Sequence, residues 1–227
     1  MSNANAVSAG LFKKLPFDVQ KDFAPVGLLG VFDLALFVAA DSRLKSVRDV
    51  LAEAKARPGK LTIGTIAVGS TQHLSAELFK ARTGIDALIV PYKGSPAVLT
   101  ALRAGEIDVA FEILGPMLPQ LQAKVVRALA VTSDRRFAAL PEVPTMREAG
   151  VADYEVASWN ALAAPAKTPP AVIERLNAAA NDALKTPAVQ ERLLALGVRA
   201  QGGTPPQLQL LLARELRHWG EVIRAAK

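Results

Sequence analysis

Two side chains that could act together in catalysis, Ser70 and His73, lie in the stretch GTIAVGSTQHLSAELF at positions 64–79. A serine beside a basic imidazole is the pair that serine hydrolases use, so a hydrolase built on Ser70 and His73 is one hypothesis. The stretch lacks the G-x-S-x-G turn that exposes a nucleophilic serine in many hydrolases. The second histidine, His218, is remote in sequence. We therefore predict no catalytic residue and expect a protein that is not an enzyme.

Ser70 also fits a simpler role, that of a helix cap. It precedes a helical pattern at 71–82, where a serine side chain normally accepts a backbone N–H. A second glycine–serine pair, Gly94-Ser95, precedes a helical pattern at 96–103, for which Ser95 is the predicted N-cap. Each helix start presents unpaired N–H groups and the positive end of the helix dipole, which together attract anions. Simple capping and anion binding both remain open at this point.

The elements around these turns alternate regularly between strand and helix. The patterns predict strands at 27–40, 61–66, 87–90, 107–111, 126–131 and 154–164, and helices after Ser46, at 71–82, at 96–103, at 170–184, between Thr186 and Gly197 and at 205–226. Such alternation with short connections predicts a parallel sheet covered on both faces. Both glycine–serine turns then lie at the carboxyl ends of strands, where open α/β folds bind ligands. Tyr92 and Trp159 could be core residues or walls of that pocket.

The composition argues against several other classes of protein. The 227 residues include no cysteine, which removes disulfides, zinc–thiolate sites and cysteine nucleophiles. The net charge is +6, but basic and acidic residues are interspersed and only 5% are aromatic, so we expect no nucleic-acid partner. Neither a phosphate loop nor a G-x-G-x-x-G fingerprint is present, and the histidines lack metal-ligand spacing. We predict no cofactor and no metal.

Segments along nearly the whole chain resemble Bug-type solute-binding proteins of the tripartite tricarboxylate transporter family. They occur in one order: LFKKLPFDVQKDFAPVGLL (11–29), GSTQHLSAELFKARTGID (69–86), VPYKGSPAVLTALRAGEIDVAF (90–111), RALAVTSDRRFAALPEVPTMREAG (127–150), YEVASWNALAAPAKTP (154–169) and LGVRAQGGTPPQL (196–208). The resemblance implies an α/β, two-lobed periplasmic binding protein of type II, a Venus flytrap whose lobes are joined by crossing strands. It also implies a periplasmic location and delivery of a small carboxylate to the membrane permease subunits of the transporter.

The resemblance places lobe II, a parallel α/β unit, at 40–156. Lobe I is then a remnant of 1–39 plus 157–227 that includes the C-terminal helices. The implied ligand contacts are two helix starts and one crossing strand, made of Gly69, Ser70, Thr71, Gln72, His73, Tyr92, Lys93, Gly94, Ser95 and Trp159. Lobe closure would trap the carboxylate between them.

The sequence departs from the family pattern in two places. Where relatives have an Asp-Asn-Leu-Pro-like loop, this chain has Glu112-Ile113-Leu114-Gly115, so we interpret Glu112 as a solvated or structural acid. The first ten residues, MSNANAVSAG, lack the features of a signal peptide, and no segment matches the β-α-β unit that opens the family fold. We therefore expect an incomplete first lobe, weak or absent carboxylate binding, and exposed sheet edges that allow self-association.

An effector-binding regulatory domain of the LysR type is the second hypothesis, because it shares the two-lobed architecture. Such a domain normally follows a DNA-binding helix-turn-helix, which the sequence does not show. The identity of the carboxylate stays open, because a few side chains and ordered waters decide specificity in pockets of this kind.

Overall fold

The structure, a computed structural model, describes residues 1–225. Its elements, in chain order, are α1 (Asn3–Leu11), β1 (Phe23–Ala39), α2 (Val47–Ala56), β2 (Thr62–Ile66), α3 (Thr71–Thr83), β3 (Leu88–Tyr92), α4 (Ser95–Ala104), β4 (Val109–Ile113), α5 (Leu114–Gln122), β5 (Val126–Val131), β6 (Ala157–Pro165), α6 (Pro170–Lys185), α7 (Pro187–Ala195), β7 (Val198–Ala200) and α8 (Pro205–Ala225). All of the predicted strands and helices are found, and the predicted α/β class is confirmed. The last residue of the helix predicted at 205–226 lies outside the described residues.

The chain divides into two compact units. One contains Asp33–Ala157, and the other contains Met1–Phe32 together with the described residues from Ser158 onward. The predicted limits of the functional lobes, 1–39 plus 157–227 and 40–156, stay a prediction.

The sheet of the Asp33–Ala157 unit has the strand order β3-β2-β4-β1-β5. Strand β2 runs parallel to both β3 and β4, whereas β1 runs antiparallel to β4 and to β5. The prediction of a wholly parallel sheet is therefore wrong at β1. The alternation of strands and helices does not reveal that β1 inserts beside β4 instead of beside β2, the strand that follows it in sequence.

Local sequence explains where the helices of this unit begin and end. The hydroxyl of Ser46 accepts the N–H of Asp49 at the start of α2, at 3.2 Å. Helix α3 ends at Gly84, whose φ of 66° is the left-handed conformation that glycine adopts without strain. Helix α5 was not predicted, and it contains prolines at 116 and 119. Pro116 lies in its first turn, where the missing N–H costs nothing.

Packing in this unit depends on one close approach of backbone and side chain. A Cβ at Gly64 in β2 would meet Cδ1 of Ile107 at 2.2 Å, so any larger residue there requires the Ile107 side chain to move. Phe37, Phe111 and Leu102 are fully buried in the core beneath the helices.

The other unit pairs the first half of β1 with β6 and, antiparallel, with β7. Helix α1, which the sequence did not predict, packs against α8. The indole N–H of Trp219 in α8 donates to Oδ1 of Asn3 and to Oε2 of Glu215, both at 2.9 Å. A hydrogen-bonded tryptophan therefore connects the two ends of the described chain.

Candidate functional site

The start of α3 is built from the turn that follows β2. Gly69 has a φ of 81°, which lets the chain reverse before the helix. Ser70 is extended, and its Oγ accepts the N–H of His73 at 3.1 Å. Ser70 is therefore the N-cap, as predicted. Its hydroxyl is also 3.5 Å from the carbonyl of Ile66, to which it donates.

The imidazole of His73 does not pair with Ser70. The hydrogen bond between these residues comes from the backbone of His73, and Nδ1 of the ring is buried without a partner among residues 1–225. Burial lowers the pKa of His73, against the opposing charge of Glu77, so the neutral ring is favoured. The imidazole is therefore not positioned as a base that could deprotonate the Ser70 hydroxyl.

The start of α4 differs from the prediction. Ser95 is the first helical residue and Gly94 is the N-cap, whose carbonyl accepts the N–H groups of Ala97 at 3.0 Å and Val98 at 3.2 Å. The prediction of Ser95 as N-cap is wrong because the helix begins one residue earlier, which places Ser95 inside the first turn with its hydroxyl directed towards β4. This hydroxyl donates to Oε2 of Glu112 at 2.9 Å.

The two helix starts lie side by side. In the parallel pairing of β2 and β3, Ile66 is level with Tyr92, so both strands end at the same height. The turns that follow them therefore open at one edge of the sheet, where helix N-termini and backbone N–H groups converge.

Glu112 connects these two helix starts. Its carboxyl is completely buried near the end of β4, and Oε2 accepts hydrogen bonds from Nε2 of Gln72 at 3.2 Å, from Ser95 Oγ, and from the N–H of Ile113 at 3.2 Å. Its other oxygen, Oε1, is buried and has no partner in the described part of the chain. Of the two interpretations of Glu112, the solvated acid is wrong, whereas the structural acid agrees with its burial and its three hydrogen bonds. A carboxylate within the apolar run VAFEIL was the signal that could have revealed its burial.

Burial raises the pKa of Glu112, and the hydrogen bonds from Gln72, Ser95 and Ile113 oppose that rise. Gln72 is itself buried, and its amide is engaged with Glu112. The side chains of Gln72 and Ser95 therefore face the protein interior, which leaves backbone N–H groups as the donors for an anion at these helix starts.

The other predicted contacts are distributed as follows. Tyr92 is half-buried against the core beneath α4, and burial raises its pKa. Lys93, one residue further, is exposed. Trp159 belongs to β6 in the other compact unit, where it is buried with its indole N–H unpaired among the described residues. Its part in a shared cleft stays a prediction.

Neither a metal centre nor a membrane span emerges from residues 1–225. Within them, no three His, Cys, Asp or Glu side chains come together as a metal site, and no helix is both long and apolar enough to cross a membrane.

Comparison with known proteins gives a consistent result. The family described as "Tripartite tricarboxylate transporter family receptor" matches residues 1–227. Protein BugT of Bordetella pertussis is 35% identical over 96% of this chain and 67% of its own length. The curated relatives are longer, and the chain spans about two thirds of their length, namely 66%, 67% and 65% for three of them.

Solved structures share the fold over almost the whole chain. R. palustris Rpa4515, solved with adipate, has a TM-score of 0.88 and 34% identity, with coverage of 100% of this chain and 76% of that one. MatC from Rhodopseudomonas palustris, solved with bound malate, has a TM-score of 0.82 and 29% identity, with coverage of 98% and 77%. These neighbours confirm the predicted likeness to periplasmic solute-binding proteins, and they give no support to a hydrolase or to a LysR-type regulator.

Proposed function

Since this chain belongs to the tripartite tricarboxylate transporter receptor family, we propose that it captures a small carboxylate in the periplasm and passes it to the permease subunits of such a transporter. The family is one of receptors, not enzymes. Adipate and malate, the ligands of the two structural neighbours, are dicarboxylates, so a dicarboxylate is the proposed ligand class.

The observation that carries this proposal is the pair of helix starts at one edge of the sheet. Helices α3 and α4 follow strands that end level with each other, and each helix presents its positive end there. The N–H of Ser95 has no hydrogen-bond partner among the described residues, and Lys93 adds a positive charge nearby. A ligand carboxylate bound by the turns at Gly69–His73 and Tyr92–Ser95 would satisfy these donors.

Three finer features belong to the same proposal. Closure of two lobes would bring Trp159 to the other side of the ligand. The membrane permease would recognise the closed, loaded form. Self-association would use strand β3, which is the edge of its sheet and exposes 57% of Leu88.

Calorimetric titration with malate and adipate tests the proposal. We expect weak but saturable binding of at least one dicarboxylate, in agreement with the weak binding expected from the sequence. We expect Lys93→Gln to weaken it further, about three- to tenfold, through loss of one charge. Lys60→Gln is the matched control, because Lys60 is an exposed lysine that precedes β2 at the opposite end of the same parallel strands.

Equal affinity of the Lys93→Gln and Lys60→Gln proteins would contradict the location of the site. Absence of heat with every dicarboxylate up to millimolar concentration would contradict carboxylate capture by this chain.

A further inference from the structure

The carboxyl of Glu112 uses its two oxygens very unequally. Oε2 accepts three hydrogen bonds, one from α3, one from α4 and one from its own strand. Oε1 accepts none from the described residues although it is completely shielded from solvent. An ionised carboxylate spreads its charge over both oxygens, and burying one of them without a donor is strongly unfavourable.

A proton on Oε1 reduces this cost, because a buried neutral hydroxyl without a partner is less unfavourable than a buried charge without one. The neutral acid keeps Oε2 as the carbonyl-type acceptor for all three donors, and it places the hydroxyl on the oxygen that lacks a donor. Burial acts in the same direction, because it raises the pKa of Glu112.

The charged neighbours do not reverse this preference. The pKa of Glu112 responds to burial and to its three hydrogen bonds, with no ion pair among the causes. The elements that pack around β4, together with the turn before α4, carry these titratable groups: His73, Glu77, Lys80 and Arg82 on α3, Lys93 before α4, Arg103 on α4 and Asp33 on β1. Strand β2 and helix α5 carry none.

We propose that Glu112 is a neutral carboxylic acid that positions the starts of α3 and α4, and that release of its proton lowers the affinity of this site for carboxylates. The inference rests on the proposed function, since it assigns pH sensitivity to the same site. Glu112 is a positioning residue in this scheme, because it acts through Gln72 and Ser95.

The electrostatic argument is direct. Ser95 offers its backbone N–H to an anion while its hydroxyl bonds Glu112, so a charge on Glu112 would lie one side chain's length from the bound carboxylate. Two like charges at that separation repel each other strongly enough to lower affinity severalfold. Linkage is reciprocal, so binding of a carboxylate must favour the protonated acid, and the protein takes up protons on binding at any pH where part of Glu112 has ionised.

Glu112→Gln tests the proposal, because an amide retains the acceptor oxygen and cannot ionise. Titrating malate and adipate into the wild-type protein at increasing pH should show affinity that falls about threefold or more. The Glu112→Gln protein should lose this dependence. In buffers of different ionisation enthalpy, at the pH where the affinity of the wild type falls, the wild-type protein should take up protons on binding and the variant should not. Glu142→Gln, at an exposed loop glutamate, should behave as the wild type.

A pH profile that is the same in wild type and Glu112→Gln would overturn the proposal. Failure of both proteins to bind at any pH would contradict the proposed function instead. Infrared spectroscopy of the unliganded protein tests whether Glu112 is protonated, independently of ligand binding. A protonated-carboxyl band that disappears in Glu112→Gln supports it, and a spectrum without such a band overturns it.

Discussion

The hydroxyl of Ser95, the first residue of α4, donates to Oε2 of Glu112 near the end of β4 at 2.9 Å. This hydrogen bond connects the start of α4 to strand β4. Gln72 at the start of α3 binds the same oxygen, so one buried acid sets the relative position of two helices that open at one edge of the sheet. For the proposed anion site, Glu112 would hold the backbone N–H donors of both helix starts in fixed positions.

Ser95→Ala should destabilise the protein by about 1–3 kcal/mol, because Oε2 of Glu112 loses one of its donors in a buried setting. Urea denaturation measures the change. Thr100→Ala is the control on the same helix, since the Thr100 hydroxyl bonds only to the exposed backbone carbonyl of Pro96, and it should cost about 0.5 kcal/mol or less. Equal losses for both variants would show that the Ser95–Glu112 bond adds nothing.

The free energy of unfolding should depend on pH through Glu112. Its pKa is raised in the folded state above the ordinary value of 4.5, so the folded protein holds a proton that the unfolded chain releases. The contribution of this proton to stability is fully present below pH 4.5 and is lost as the pH rises through the higher folded-state pKa. Glu112→Gln should remove that loss, so the variant gains stability relative to wild type as the pH approaches neutrality.

Urea midpoints measured in steps from pH 4.5 upward give this difference directly. His73 acts in the opposite sense, because its lowered pKa weakens the folded state as the pH falls below 6.5. The comparison must therefore be between Glu112→Gln and wild type at each pH, where the effect of His73 cancels. A constant difference across the range would disprove a raised pKa at Glu112.

Features that depend on a few consecutive residues could be predicted from the sequence. The cap at Ser70 needs only neighbours within one turn, and both this cap and the helix at 71–82, observed as Thr71–Thr83, were predicted correctly. The role of Ser95 was not, since its partner lies 17 positions away, and the Gln72–Glu112 bond spans 40 positions. The direction of β1 was missed for the same reason. Long-range pairing decides these features, and no local pattern encodes it.

The two tryptophans of the described chain offer a matched pair for the last prediction. Both are buried in the same compact unit, but the indole N–H of Trp219 donates to Asn3 and Glu215, whereas that of Trp159 has no partner among residues 1–225. Replacing either by phenylalanine removes the same atoms from the core. Trp219→Phe also leaves two buried oxygens without this donor, so it should cost about 1–3 kcal/mol more than Trp159→Phe. Denaturant unfolding of both variants measures the difference, and equal losses would mean that the link between α1 and α8 contributes only by packing.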